Sequence, residues 1–314
     1  MVRKLEQTPF LRKRWGLFLM CYQRLSKSQA RNGMGALLSL IIMFFLPAIS
    51  HAQDIRLIVR GDDFGMTQGS VLAFEKAFNE GVLTCGSLLV QPPWFEAATE
   101  LARKNPRWCI GIHLSLVGEW RGYNWRPVLP WDRVSSLVDE DGFLFKDPRQ
   151  LFKHNPKIEE IDAELRAQIN LAKKKGVDVQ YIDTHYMGMD DYPGLRGVIQ
   201  KIGYDYNLSI SCQMGEKLIG GVSRVPVEKK KAEAIAMLKK LQPGLGLWVC
   251  HIGIESPEQD ALIHSAAEDI FVDGVGRHRA AELAVLMSPE VKSVILRGGI
   301  QLTNYRELLK EKRK

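Results

Sequence analysis

A chain of 314 residues with 46% hydrophobic and 25% charged positions has ordinary globular composition, which excludes wholesale disorder. Its formal charge of +7 suggests an acidic partner, but the excess is local: residues 1–52 hold eight Lys and Arg against Glu6 alone, and the remainder is formally neutral. A nucleic-acid-binding domain keeps its basic excess in its folded part, so nucleic acid is set aside as a partner.

The first element in chain order is the apolar run Gly35–Leu46, preceded by basic residues and followed by Pro47 and Ser50-His51-Ala52-Gln53. A basic region, a short apolar region and small residues at −3 and −1 are the layout of a secretory signal, with cleavage expected after Ala52. The run is shorter than the ~20 residues that span a bilayer comfortably. The expectation is a signal peptide or N-terminal anchor over 1–52 and an exported single domain over 53–314, in the bacterial periplasm or secreted. Membrane contact arises only through the N-terminal segment if it stays uncleaved. Cys21 lies in that segment. Cys85, Cys109, Cys212 and Cys250 show no CxxC spacing, and sequence alone does not pair them.

From residue 54 short apolar runs alternate with helical patterns. Strands are expected at Ile55–Arg60, Ser87–Val90, Cys109–Ile112, Val179–Ile182, Leu208–Ser211, Leu247–Cys250, Ile270–Val272 and Val294–Leu296. Helices are expected at Val71–Glu80, Phe95–Lys104, Ile158–Lys175, Leu195–Tyr206, Glu228–Leu241, Arg277–Leu286 and Asn304–Lys312. Gly176, just past the third of these helices, is a usual stop signal. Alternating β and α imply an α/β fold with a parallel sheet, open or closed into a barrel. The polar, aromatic-rich stretch Gly118–Pro148 breaks the rhythm and reads as a long insertion, which in compact domains is usually functional.

The polar residues fall at strand ends. Asp62 and Asp63 follow the first strand, His113 the third, Asp183 and His185 the fourth, and His251 the strand Leu247–Cys250. In parallel α/β sheets and barrels the C-terminal strand ends are where active sites are built. Each residue alone has a plain structural explanation, since Asp-Asp-Phe-Gly suits a turn and Asp183-Thr184 a helix cap. Together, three of the seven histidines and three Asp converge on one rim, which points to a metal-dependent hydrolase. One carboxylate and two imidazoles leave coordination positions open, as catalytic metals require. Neighbours in an extended segment face opposite ways, so Asp62 and Asp63 are not expected to be equivalent.

Arg60-Gly61-Asp62-Asp63-Phe64-Gly65, Gly111-Ile112-His113-Leu114-Ser115-Leu116, Tyr181-Ile182-Asp183-Thr184-His185 and Val249-Cys250-His251-Ile252-Gly253 resemble the ChbG/HpnK (YdjC-like) carbohydrate deacetylase family. Arg279-Ala280-Ala281-Glu282-Leu283, Ser288-Pro289-Glu290-Val291 and Tyr305-Arg306-Glu307-Leu308 resemble it too. The resemblance implies a distorted (β/α) barrel, TIM-barrel-like, and one divalent metal ion: Zn or Mg first, with Mn, Co and Ni compatible. It implies removal of an acetyl group from an N-acetylated sugar or glycan. Under it Asp63, His113 and His185 match the metal ligands, Asp62 the catalytic base, and His251 the general acid, with Asp183 orienting a neighbour. Arg279 becomes a candidate substrate contact. The chain departs at Tyr186-Met187-Gly188-Met189, where some members carry a further His, and at Ile252, where many carry Pro.

Within the insertion, Trp120, Tyr123, Trp125 and Trp131 suit sugar rings, because aromatic faces are apolar and tolerate polar edges. The other reading is a loop packed on the barrel by its own aromatics. Two functional alternatives stand beside the deacetylase. One is a metal-dependent phosphoesterase or other hydrolase on the same barrel. The other is a non-catalytic cell-envelope carbohydrate-binding protein, which has no use for the retained Asp62–Asp63 pair.

Overall fold

The structure is a computed structural model that describes residues 54–265, 271 and 273–312. The expected signal segment, and Ile270 and Val272 of one expected strand, lie outside the described residues. The strands are β1 (Ile55–Phe64), β2 (Cys85–Leu88), β3 (Cys109–Leu114), β4 (Trp120–Arg121), β5 (Val179–Thr184), β6 (Ser209–Ile210), β7 (Lys217–Leu218), β8 (Gly244–His251), β9 (Ile263–His264) and β10 (Gln301–Thr303). The helices are α1 (Gln68–Glu80), α2 (Phe95–Lys104), α3 (Pro148–Lys153), α4 (Ile158–Lys174), α5 (Leu195–Tyr206), α6 (Lys230–Lys239), α7 (Pro257–Asp260), α8 (Val275–Met287), α9 (Pro289–Arg297) and α10 (Tyr305–Lys312).

The main sheet runs β6-β5-β3-β2-β1-β8-β7 and all its ladders are parallel. Strand β1 has three neighbours. Its first half pairs with β10, its second half with β2, and β8 runs along its other side. Among the described residues no ladder joins β6 to β7, so the sheet is a distorted, incompletely closed barrel.

Side-chain parity sorts the strands into two packed layers, because successive side chains point to opposite faces. Leu57, Val59, Ile110, Ile112, Ile182 and Trp248 pack outward in the main core. Ile58, Cys85, Cys109, Tyr181 and Leu247 point the other way and form a smaller interior cluster with Tyr305 and Leu308 of α10. The same parity carried along each strand places Arg60, Asp62, Ser87, His113, Asp183 and His251 inside. The strands read as nearly continuous apolar runs because both faces are covered. That leaves the few inward polar residues at one end as the exceptions.

Two expectations need correction. Val294–Leu296 is not a strand but part of α9. Ser288 caps that helix by accepting the Val291 N–H, Pro289 opens it, and Val291 and Ile295, one turn apart, are buried. The strand beside β1 is instead Gln301–Thr303, three residues long with Gln301 and Leu302 exposed, too short and polar to read as a strand. The insertion also carries more order than expected. Strand β4 pairs antiparallel with β9. Glu164 of α4, fully buried, accepts the Val128 and Leu129 N–H groups at 2.9 and 3.0 Å and pins the loop to the barrel. Cys85, Cys109 and Cys250 are buried, Cys212 is exposed, and all four are free thiols.

Candidate active site

The C-terminal ends of β1, β3, β5 and β8 open into a cavity of about 430 Å³, lined by Asp62, Asp63, His113, His185, His251 and Arg279 among others. That volume lies within the usual range for small-ligand sites. Strand β1 continues past Arg60 to Phe64, so Asp62 and Asp63 lie within its last three residues and not in a separate turn. Parity alone would send Asp63 to the outer face. Its φ of 66°, at an irregularity in the β1–β2 register, turns it back so that both carboxylates line the cavity. A non-glycine residue in the left-handed region costs roughly 1–3 kcal/mol and persists where the surroundings over-determine it. Asp is among the residues that tolerate it best.

Asp63 is held from two directions. Arg279 Nη2 donates to Oδ2 at 2.6 Å. Oδ1 is buried without a hydrogen-bond partner, yet it lies 3.6 Å from His113 Nε2 and 3.3 Å from His185 Nδ1. These three atoms lie within 4.8 Å of one another. Ligand atoms around a divalent ion with bonds of about 2.0–2.2 Å stand about 3.0–3.5 Å apart. The orphaned oxygen and two imidazole nitrogens therefore fit a metal ion with little adjustment.

Each imidazole has a carboxylate behind it. Asp183 Oδ1 stands 3.1 Å from His113 Nδ1, an ion-pair distance outside hydrogen-bond geometry, while His113 Nε2 is the nitrogen nearer Asp63. Glu119 Oε2 is 2.7 Å from His185 Nε2, which turns Nδ1 toward Asp63. Carboxylates in this position fix the tautomer and orientation of ligating histidines.

A second cluster of possible ligands, Asp62, His113 and Asp183, already holds a cation. The Arg60 guanidinium donates to both Asp62 oxygens at 2.7 and 2.8 Å, and its Nη1 lies 3.0 Å from Asp183. The fixed charge of Arg60 therefore excludes a metal there. Arg60 also donates to Ser211 Oγ, which contacts the Tyr305 hydroxyl.

The charges of the site follow from these contacts. Burial pushes the Asp62 carboxyl up, but Arg60 outweighs it and Asp62 sits below the usual carboxylate range. Burial opposes ionisation of Asp63 as well, and Arg279 and His185 hold it well below that range. His113 is raised: burial lowers it, and Asp183 and Asp62 overcome that. His185 is pushed up to about 10 in the metal-free protein, with Glu119 and Asp63 overcoming burial.

His251 sits beside Asp62, its register partner across β1 and β8. Its Nδ1 is 3.1 Å from Ser223 Oγ, and its backbone N–H donates to Glu282. Arg279 lies over the Trp120 ring at 5.4 Å, and its Nε and Nη1 are buried without partners.

The structure thus brings Asp62, Asp63, His113, Asp183, His185, His251, Arg279 and Trp120 together. It does not bring Trp125 or Trp131 to the cavity. Trp125 is buried, donates to the Val117 carbonyl and packs behind the His185 ring at 6.0 Å, so it backs the site without lining the cavity. Trp131 is 59% exposed at the start of a 3₁₀ turn. The aromatic wall of the cavity is built instead from Trp120, Tyr186, His264 and Phe271. The His264 ring makes edge contacts with Trp120 at 5.3 Å and Tyr186 at 5.2 Å. Sequence reasoning missed Arg60, Glu119, Tyr186 and His264. Arg60 had a signal, as a charge in an apolar strand on the same face as Asp62 and two residues before it; Glu119, in the insertion, had none.

The family model for YdjC-like proteins matches residues 56–297. A carbohydrate deacetylase of Enterococcus faecalis is 31% identical over 81% of this chain and 98% of its own length. A carbohydrate deacetylase of Brevibacillus brevis is 27% identical over 81% of this chain and all of its own length. The crystal structure of an Enterococcus faecalis protein, provisionally assigned as a cellobiose-phosphate cleavage protein, superposes with a TM-score of 0.65. It is 26% identical and covers 81% of this chain and 99% of its own. With a model match over most of the described fold, the chain belongs to the YdjC-like protein family.

Proposed function

We propose that the chain is a metal-dependent carbohydrate deacetylase that hydrolyses the acetamide of an N-acetylated sugar or glycan. The observation that carries this reading is the buried, unpartnered Asp63 Oδ1 between two aimed imidazole nitrogens, with a separate carboxylate, Asp62, beside it. A protein that only binds sugar has no use for that second carboxylate. The metal set would be Asp63, His113 and His185, with Zn or Mg favoured and Mn, Co or Ni compatible with mixed Asp/His ligation. When bound, such an ion polarises the amide carbonyl and makes a water more acidic.

The remaining steps belong to the chain's own residues. Asp62, kept ionised by Arg60, accepts the proton of the attacking water as general base. Arg60 also fixes the carboxylate's orientation, so the base cannot swing into the ligand set. Glu119 holds the His185 imidazole by a 2.7 Å hydrogen bond, and the Asp183 carboxylate stands 3.1 Å behind the His113 ring. His251, on the neighbouring strand, delivers a proton to the departing amine. Arg279, which lines the cavity beside Trp120, is the cationic side chain nearest a bound substrate's polar groups in this reading. Tyr186, 40% exposed at the mouth, and Phe271 offer apolar faces to a sugar ring.

Acetate release from a panel of N-acetylated sugars and oligosaccharides, with and without chelator, tests this reading. Chelator-sensitive release of acetate is expected. A fully metallated protein that releases none from any member would refute it. We also infer export from the N-terminal signal layout; a mature protein beginning at Gln53 on N-terminal sequencing is the expected result.

A further inference from the structure

Lys230 is fully buried, a costly place for an ammonium group. Its Nζ donates to the Val222 and Ser223 carbonyls at 2.6 and 2.9 Å and stands 3.6 Å from Glu282 Oε1. Both of its neighbours reach His251. Ser223 Oγ is 3.1 Å from His251 Nδ1, and Glu282 Oε2 accepts the His251 backbone N–H at 3.0 Å. Backbone and ring of one histidine on β8 are thus gripped by two contacts that meet at a single buried cation. The parts come from four places: α6 supplies Lys230, α8 supplies Glu282, β8 supplies His251, and the 222–223 turn supplies Ser223.

An apolar side chain would fill the Lys230 site at less desolvation cost. What it would lose is a pair of bonds that fix where two consecutive carbonyls point, and with them the position of the Ser223 hydroxyl. A histidine that delivers a proton must present the correct ring nitrogen, and the partner of the other nitrogen bears on that choice; a serine hydroxyl both donates and accepts, so the Ser223 contact fits either tautomer. We propose that Lys230 and Ser223 are positioning residues that lock His251 as its Nδ1–H tautomer, with Ser223 Oγ as acceptor. Nε2 is then the nitrogen that exchanges the catalytic proton. The choice of Nδ1–H rests on the assignment of His251 as general acid; the hold on its ring and backbone does not.

The test uses the purified full chain and the variants Ser223→Ala, Ser223→Thr and Lys230→Met. Long-range ¹H–¹⁵N NMR, at a pH where the ring is neutral, reads the His251 tautomer without reference to activity. The Nδ1–H form is expected in the unsubstituted protein and in Ser223→Thr, and a shift toward Nε2–H in the other two. For acetate release, Ser223→Ala should lower kcat by about 10-fold, a fraction of what a general acid supplies. KM should stay within about two-fold, the pattern of an interaction made in the transition state. Ser223→Thr should restore kcat. If Lys230→Met fails to fold, Ser223→Ala and its Thr rescue decide. An Nε2–H tautomer in the unsubstituted protein, or an unchanged tautomer and kcat in Ser223→Ala, overturns the proposal. A tautomer shift in a protein that releases no acetate supports the lock and removes only the deacetylase reading.

Discussion

Two regions stand out in this chain for their polar and aromatic residues, and they behave in opposite ways. The strand-end rim is a network of buried charges in which most groups are aimed by another: Arg60 on Asp62, Asp183 on His113, Glu119 on His185, Arg279 on Asp63. The insertion 118–148 is mostly a packed accessory layer. It buries Trp125, Val134, Leu137 and Leu144 and is pinned by Glu164. It contributes Glu119 and Trp120 at its start to the cavity. A cluster of charges held in place without full neutralisation marks chemistry, whereas a cluster of aromatics is as readily a core.

The sharpest way to break this contrast is at the rim. Asp63→Ala should remove metal from the protein and reduce acetate release to background, read by metal content and by turnover together. Metal retained at full occupancy would move the ligand set elsewhere. Protons compete with metal for the same imidazoles. Because His185 is raised to about 10 in the metal-free protein, metal affinity should increase as pH rises toward that value. A flat affinity between about pH 6 and pH 9 would contradict the arrangement.

Asp62→Asn should leave metal content intact and lower kcat by roughly 10²–10⁴-fold, the usual worth of a positioned base. Activity close to that of the unsubstituted enzyme would show that another group takes the proton. Glu119→Gln removes the carboxylate behind His185 and should cost roughly 10- to 100-fold in metal affinity or activity. Unaltered affinity would demote Glu119 to a wall residue.

Effects in the insertion should be of another kind. Glu164→Ala leaves the Val128 and Leu129 N–H groups without their acceptor and should cost roughly 1–3 kcal/mol of stability by urea unfolding. The turnover of the molecules that remain folded should be preserved. The smallest effect is expected at Trp131, where substitution by Ala should stay within about 0.5 kcal/mol and leave KM unaltered. Tyr186→Ala should raise KM for the glycan. The reverse result for the two aromatics would restore the insertion's tip as the sugar contact.

Much of the rim was legible because strand period and strand ends coincide. Asp62, His113, Asp183 and His251 sit at the C-terminal ends of apolar runs, so elementary β geometry brings them to one edge. Asp63 required more, since its place depends on a single left-handed residue at an irregular register. The strand Gln301–Thr303 was illegible, being short and half exposed, and the apolar Val294–Leu296 was misread because Ser288 and Pro289 start a helix there. Trp125 and Trp131 looked equivalent to Trp120 in sequence. Only packing separates a buried indole bonded to Val117 from one 59% exposed and one on the cavity wall.

The sequence by itself determined the alternation of strands and helices and which strand ends carry acids and imidazoles, because those follow from local period and hydrophobicity. Tertiary structure decided the partners. Glu119 meets His185 across 66 residues, Arg279 meets Asp63 across 216, and Ser223 meets His251 across 28. No local rule predicts such pairs, since each is set by how separate loops and helices close over one rim. Asp63, His113 and His185 are the group left over once Arg60 takes up the second cluster of Asp62, His113 and Asp183.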